Sequence, residues 1–302
     1  MNRYILGIDG GGTVTDIALA TIEGKILNKI EAGPASLRNN GVEESIENVL
    51  RGVEKVVPVE GEIVSTFVGF PALQEEYADQ KDYIQSVLEG KIEGKVKIGS
   101  DQLVAYRSGS DKSKGVVIIA GTGGVVRGFD FDKKEDFKTS GWGYLADEGS
   151  AFWVGIKAYR AIVKSIDGRA RETLIKEIAF TDWKVKDKDH FNRLVYMNPL
   201  ITIPKLSVYV DLAQRDGDEV AEDILKQGAT EIVSAVEVVV EKLDFKEKEF
   251  DLVPVGGMFK SKFLEEEIKK GISSFVKKME VKKPEKDPVF GAVKLAIENY
   301  DR

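Results

Sequence analysis

Tyr4-Ile5-Leu6-Gly7-Ile8-Asp9-Gly10-Gly11-Gly12-Thr13-Val14-Thr15-Asp16-Ile17-Ala18-Leu19-Ala20-Thr21-Ile22 reads as strand, glycine turn, strand. The apolar run ending at Asp9 predicts a buried strand, and Asp16–Ile22 predicts a second after the turn. Glu23-Gly24 marks a hairpin turn into a third strand near Ile26–Ala32. Val42, Ile46, Val49, Leu50 and Val53 recur at helical spacing and predict a helix over 42–56. Ile63–Gly69 predicts a buried strand, 75–88 a helix, and Val96–Gly99 a short strand ending at Ser100-Asp101. The order is βββαβαβ.

The pattern then restarts. Val116–Ala120 is an apolar strand followed by Gly121-Thr122-Gly123-Gly124, with further strands expected over Val125–Phe131 and Phe137–Trp142. A helix is expected over Glu148–Lys164, mostly helical chain over 167–217, and a clear amphipathic helix over Asp218–Leu243. Phe250–Val255 predicts a strand, Gly256-Gly257 a turn into a helix, and Asp287–Tyr300 a last amphipathic helix. Asp9 and Thr122 fall on corresponding turns of the two copies. The expected architecture is a duplicated α/β domain with a cleft between the halves. Residues 1–112 plus 287–302 form the first lobe and 113–286 the second, the last helix returning to the first.

Composition narrows the function. With 302 residues, 42% hydrophobic and 31% charged, the chain can bury a core and favours two domains over one. No apolar run approaches the roughly 20 residues of a membrane span, and Met1–Asp9 turns acidic too soon for a signal peptide. A cytoplasmic enzyme is the expected placement, with no membrane partner. A net charge of −7 argues against nucleic acid, whose partners carry basic patches. Cysteine is absent, which excludes disulfides, thiolate nucleophiles and cysteine-held iron–sulfur clusters. The lone histidine, His190, sits in a polar stretch. Chemistry therefore falls to carboxylates, hydroxyls, backbone amides and a metal.

Gly10-Gly11-Gly12-Thr13 lies between two strands, whereas a dinucleotide-binding loop would open a helix. Successive amides in such a hairpin can form an anion nest, with Thr13 and Thr15 adding hydroxyls; a plain glycine hairpin is the alternative. No lysine follows as in a Walker loop. Gly121-Thr122-Gly123-Gly124 repeats the logic. Asp9 is placed to hold Mg²⁺ directly or through water, or else to make a turn hydrogen bond. Asp101 either accepts a proton from a hydroxyl nucleophile or caps the helix over 102–109, with Ser100 competing for the cap.

Gly141-Trp142-Gly143-Tyr144-Leu145-Ala146-Asp147-Glu148-Gly149-Ser150-Ala151-Phe152-Trp153 packs glycines, aromatics and an acidic pair together. An aromatic face beside a carboxylate suits a sugar ring with its hydroxyls; the acids could equally serve the N-terminus of the helix expected at 148. Val255-Gly256-Gly257-Met258 is strand, glycine pair, helix, where adenosine could lie against the backbone.

Together these segments resemble the N-acetylglucosamine kinase and BadF-type ATPase family, within the actin, sugar-kinase and heat-shock ATPase superfamily. The resemblance covers nearly the whole chain. It matches Asp9 to Thr13 as the phosphate-one turn, Ser100-Asp101 as the catalytic segment and Gly121-Thr122-Gly123 as the phosphate-two turn. Gly141 to Trp153 matches the sugar-side loop, Gly256-Gly257-Met258 the adenosine turn, and Asp287-Pro288-Val289-Phe290-Gly291-Ala292 the C-terminal segment.

The resemblance implies two ribonuclease-H-like lobes, ATP and Mg²⁺, and transfer of the γ-phosphate to the 6-hydroxyl of a hexose or amino sugar such as N-acetylglucosamine, glucosamine or glucose. It makes Asp101 the general base and Asp9 the metal residue. It assigns Gly11, Gly12, Thr13, Gly121, Thr122, Gly123, Gly256, Gly257 and Met258 to the nucleotide. Ser36, Asn39, Gly124, Gly141, Trp142 and Asp147 fall to the sugar. A homodimer is implied. Where animal members of the family place an Asn on the sugar, this chain has Gly124-Val125-Val126, which resembles archaeal members of broad hexose acceptance. An activator of a radical dehydratase is the alternative within the family, and it needs cysteines this chain lacks. A sugar- or nucleotide-binding protein without turnover is the other.

Overall fold

The computed structural model describes residues 2–57, 60–284 and 287–301. Two compact units emerge, Met1–Asp111 with Lys283–Arg302, and Lys112–Lys282. The boundary expected at 286 falls on a residue outside those described.

In the first unit, β1 (Arg3–Asp9), β2 (Thr15–Thr21) and β3 (Ile26–Ala32) form an antiparallel meander. A short helix α1 (Leu37–Asn40) and the long α2 (Val42–Val56) follow. Then come β4 (Glu62–Phe70), α3 (Lys81–Glu89), β5 (Lys95–Ser100) and α4 (Asp101–Gly109). β4 joins β1 in parallel and β5 joins β4, so the sheet order is β3-β2-β1-β4-β5.

Strand alternation sorts the core into two faces. Leu6, Ile8, Ile17 and Leu19 point to the side covered by α2 and α3. Ile5, Ala18, Ala20 and Phe67 point to the other, where small residues admit close helices. β5 is an edge strand, and the side-chain amide of Gln85 on α3 takes the place of a neighbour: Nε2 donates to Val96 O (2.5 Å) and Oε1 accepts from Ile98 N (3.1 Å).

The helix expected over 75–88 begins only at Lys81. Ala72 adopts a left-handed φ of +66° after Pro71, and the amides of Glu75 and Tyr77 both turn back to Ala72 O. Those bonds leave 75–77 in turns, and a single 3₁₀ turn over Ala78–Gln80 leads into the helix.

The second unit repeats the scheme. β6 (Lys114–Ala120), β7 (Gly124–Asp130) and β8 (Glu135–Ser140) form the meander. Five helices follow: α5 (Ala151–Ile166), α6 (Leu174–Asp182), α7 (Lys188–Met197), α8 (Pro199–Arg215) and α9 (Glu219–Lys242). β9 (Phe250–Val255), α10 (Lys262–Ser273) and the short β10 (Met279–Val281) complete it, with sheet order β10-β9-β6-β7-β8. Read from its third strand, this is the order of the first sheet, with the same parallel and antiparallel pairings.

Two boundaries differ from the sequence reading. β8 stops before Trp142 because Ser140 and Gly141 turn left-handed, with φ of +59° and +74°. α5 starts at Ala151 and not at 148, because Gly149 has a φ of +77° and Ser150 supplies the cap, its Oγ accepting from Trp153 N at 3.3 Å. The last helix, α11 (Val289–Tyr300), belongs to the first unit and packs on β1, β4 and α4.

Candidate active-site elements in each unit

In the first unit, β1 delivers Asp9 to the sheet edge directly opposite Asp16 of β2. The turn between them is shaped by contact. Gly10 N donates to Gly69 O (2.9 Å), and a Cβ on Gly10 would lie 2.5 Å from that oxygen. A Cβ on Gly11 would lie 2.3 Å from Val14 O. Gly12 and Thr13 form the exposed tip. The side chain of Asn39 reaches this tip, its Nδ2 lying 3.5 Å from where a Gly12 Cβ would be. Ser36, by contrast, is buried, and its carbonyl accepts the amides of Asn39 and Asn40. The structure thus places Asn39 beside the Gly10–Thr13 turn, while Ser36 is buried. Thr15 is buried, with a hydroxyl that finds no partner.

Asp101 is the first residue of α4, and the cap belongs to its neighbour. Ser100 Oγ accepts from Leu103 N at 3.2 Å and caps the helix, so the Asp101 side chain is not consumed there. Its Oδ1 accepts instead from Gln102 Nε2 at 2.6 Å.

Between β1 and β5 lies β4, where Gly69 pairs with Asp9 on one side and Gly99 on the other. A Cβ on Gly69 would strike Val104 Cγ2 at 2.6 Å and approach the Asp101 Cα at 3.5 Å. The missing side chain lets the first turn of α4 settle onto the sheet, bringing Asp101 toward Asp9. Burial, then the charge of Asp101, then that of Asp16, hold the Asp9 carboxyl well above the usual carboxylate range, while Lys29 acts the other way.

Lys29 Nζ lies 3.1 Å from Asp16 and 2.6 Å from Asp287. Burial pulls its pKa down, but the bonds to Asp287 and Asp16 raise it above the ordinary lysine value. Sequence reading missed Lys29. The signal was in the register, since Lys29 pairs with Ala18, one step along the same face from Asp16.

Like charges placed directly opposite across strands are destabilising. Asp9, Asp16 and Asp101 against the single ammonium of Lys29 therefore suit a bound cation. Among the described residues no group of three or more His, Cys, Asp or Glu side chains converges as a protein-only cage. Mg²⁺ is commonly held by one or two carboxylates with phosphate oxygens and water completing the shell, and Asp9 with its neighbours fits that pattern.

In the second unit, the Gly121 and Thr122 carbonyls accept from Ala151 N (2.8 Å) and Phe152 N (3.2 Å), tying the Gly121–Gly124 turn to the start of α5. Thr122 itself is exposed. Asp147 is only 3% exposed. Its Oδ2 accepts from Gly124 N (3.1 Å) and Gly143 N (3.2 Å), and its Oδ1 from Trp142 N (2.9 Å). Gly123 must be glycine here, since a Cβ would lie 2.8 Å from Asp147 Oδ2.

Neither Asp147 nor Glu148 caps α5, because Ser150 does so. Asp147, expected from the sequence to hold sugar hydroxyls, has its oxygens engaged by three backbone amides and shapes the loop that carries Gly141 and Trp142. Gly141 N donates to Gly124 O at 2.8 Å, closing the same structure. The Trp142 side chain stands 81% exposed.

Gly256 has a φ of +109°, and a Cβ there would lie 2.4 Å from Ala120 O. Gly257 faces open space. The side chain of Met258, a residue expected beside adenosine, is buried in the core of the second unit.

Gly69→Ala is expected to lower stability by about 1–3 kcal/mol through overpacking, read as a lower thermal midpoint. Adding Val104→Ala is expected to restore it, and a double variant as unstable as the single one would refute the steric account. Asp147→Asn keeps the shape but turns an NH₂ toward amide donors. Exchange of the Gly124, Trp142 and Gly143 amide protons is expected to accelerate at least tenfold, matching a lost buried bond of about 1–3 kcal/mol. Unchanged protection would show that the carboxylate does not hold the loop.

Comparison with known proteins supplies context for this geometry. A curated relative, the N-acetylmuramic acid/N-acetylglucosamine kinase of Clostridium acetobutylicum, is 28% identical over 99% of this chain and 100% of its own length. The N-acetyl-D-glucosamine kinase of Dictyostelium discoideum is 27% identical over 98% of each chain. A solved candidate N-acetylglucosamine kinase from Chromobacterium violaceum superposes with a TM-score of 0.73 at 21% identity, covering 98% of this chain and 99% of that one. A glucokinase of the ROK family from Streptomyces griseus, solved with glucose and AMPPNP, gives 0.58 at 15% identity over 97% and 98%. These superpositions establish the fold as that of two ribonuclease-H-like domains. Residues 6–296 match one family over nearly their whole extent, and the chain belongs to the BadF/BadG/BcrA/BcrD ATPase family.

Proposed function

We propose that this protein is an ATP-dependent sugar kinase that phosphorylates the 6-hydroxyl of a hexose or amino sugar, with N-acetylglucosamine, glucosamine and glucose as the first acceptors to test. The observation that carries the reading is Asp101, freed from capping by Ser100 and brought toward Asp9 across the side-chain-free position at Gly69. Near-full-length similarity to two curated sugar kinases supports it.

Asp101 orients the acceptor hydroxyl and takes its proton as the bond to phosphorus forms. Phosphoryl transfer has a loose transition state, so positioning and charge neutralisation carry most of the rate. Thr13 and the amides of Gly11 and Gly12 donate to phosphate oxygens, as do Thr122 and the amides of Gly121 and Gly123. Gly256 and Gly257 present backbone to adenosine. Asp9 holds Mg²⁺, with Asp16 and Lys29 setting the charge around it. Mg²⁺, when bound, neutralises charge on the transferring phosphate and its leaving group. Trp142 gives the sugar ring an apolar face, Gly141 and Gly124 let it approach the backbone, and Asn39 donates an amide near the transferring group. The homodimer implied by the resemblance belongs to the same reading, and light scattering on the eluted protein tests it.

A coupled assay of ADP release over glucose, glucosamine, N-acetylglucosamine and mannose tests the proposal, and a failure to turn over any of them would refute it. Asp101→Asn is expected to lower kcat by about 10²–10⁴ while nucleotide binding, followed by calorimetry, survives; undiminished turnover would remove Asp101 from its role. Trp142→Ala is expected to raise the sugar KM more than the ATP KM, and the reverse order would detach Trp142 from the sugar.

A further inference from the structure

A groove of about 340 Å³ runs beside the start of α5 in the second unit. One wall is the loop after Gly143, with Tyr144, Leu145 and Glu148. The other is α5 itself, with Trp153, Lys157 and Arg160. The kinase reading gives none of these residues a role. Tyr144 leans its ring on Phe152, centroids 4.8 Å apart, and Leu145 stands 83% exposed. The Lys157 ammonium is held in place, 4.6 Å from the centre of the Trp153 ring and 3.1 Å from Gln227 Oε1. Arg160 follows one turn later on the same helix and is exposed.

The lining sorts by chemistry. Aromatic and aliphatic side chains suit a ring, Glu148 can accept hydroxyl hydrogen bonds, and two cations a turn apart suit a dianion. An arginine fork binds phosphate oxygens in pairs, and a lysine adds a point charge. The volume lies near the lower end of small-molecule pockets, about 300–1,000 Å³, which gives room for one sugar ring with a phosphate. A neutral sugar would leave both cations unanswered. Burial and the charge of Glu148 lift the Glu231 carboxyl above its usual range, and Lys157 opposes that shift. Part of the Lys157 charge is thus already engaged, and Arg160 is the stronger anchor for a phosphate.

Resting on the kinase reading for the identity of the product, we infer that this groove is a second ligand site, which takes a phosphorylated monosaccharide, the class of the protein's own product, and slows turnover when filled. Position supplies the coupling. Tyr144, Leu145 and Glu148 belong to the loop that carries Trp142, and Phe152 N donates to Thr122 O (3.2 Å) of the glycine turn after β6. A ligand bridging loop and helix restrains both the segment assigned to the sugar and the one assigned to phosphate.

The test follows the indole N–H resonances of Trp142 and Trp153 in isotope-labelled protein, assigned by single Phe replacements. Glucose 6-phosphate, glucose and inorganic phosphate are the probes. Glucose 6-phosphate is expected to shift the Trp153 resonance with a midpoint of about 1 mM, the weak binding that solvent-facing charges give. Glucose is expected to leave Trp153 in place, and inorganic phosphate to act only at about tenfold higher concentration. Arg160→Met is expected to raise the sugar phosphate midpoint about fivefold. In steady-state assays the sugar phosphate is expected to lower kcat as well as raise the sugar KM, and in Arg160→Met to raise KM alone.

Three results would overturn the inference and leave the kinase reading standing: a Trp153 resonance unmoved by the sugar phosphate, one that answers equally to glucose or inorganic phosphate, or a midpoint unchanged in Arg160→Met. Inhibition that only raises KM in the unaltered protein would overturn the braking effect. No turnover of any sugar would refute the kinase reading and the brake with it, while the resonance titration still decides whether the groove binds. The three-probe comparison in the unaltered protein stands even if a variant fails to fold.

Discussion

A single buried carboxylate fixes the backbone of two glycine-rich stretches in the second unit. Asp147 accepts from Gly124 after the phosphate-two turn, and from Trp142 and Gly143 in the loop before α5. A carboxylate that accepts amide hydrogen bonds is a charge-assisted acceptor, stronger than a neutral carbonyl. Removing it would strand buried donors, each at a cost of about 1–3 kcal/mol. Glycine at 123 is the steric counterpart of the same arrangement. The closing bond from Gly141 to Gly124 belongs to the same arrangement, and the Trp142 ring stands exposed beside it.

The first unit solves a different problem, that of keeping like charges close. Asp9 and Asp16 oppose one another across an antiparallel pair, and Asp101 joins them because Gly69 leaves room for α4. The Lys29 ammonium offsets part of the repulsion. The remainder is what a bound divalent cation would neutralise. Acidic residues of this kind are poorly suited to stabilising an empty fold and well suited to attracting a cation.

The strand order was legible because its signals are local. Apolar runs ended by glycine turns recur twice, and both sheets have the topology that recurrence implies. The positions of Asp101 and Thr122, just past the ends of β5 and β6, could be located from the apolar runs alone. What stayed hidden depended on contacts between distant positions. Whether Ser100 or Asp101 caps α4 turns on one hydrogen bond. The late start of α5 needs the left-handed Gly149, whose side chain would collide with Ile232 on α9. Asp147 looked like a ligand group because an acid beside tryptophan reads that way, and only the fold reveals the amides it serves. Met258 follows two glycines and so resembled part of a turn, yet tertiary packing takes its side chain inward. β10 has three residues and carries no pattern of its own.

At the outer margin of the first sheet, the Gln85 amide donates to Val96 and accepts from Ile98, imitating a sixth strand with one side chain. Open sheet margins are templates for foreign strands. This one is already occupied along that stretch. Stacking of copies margin to margin is thereby disfavoured, and the chain can crowd to high concentration with one route toward fibrous assembly shut.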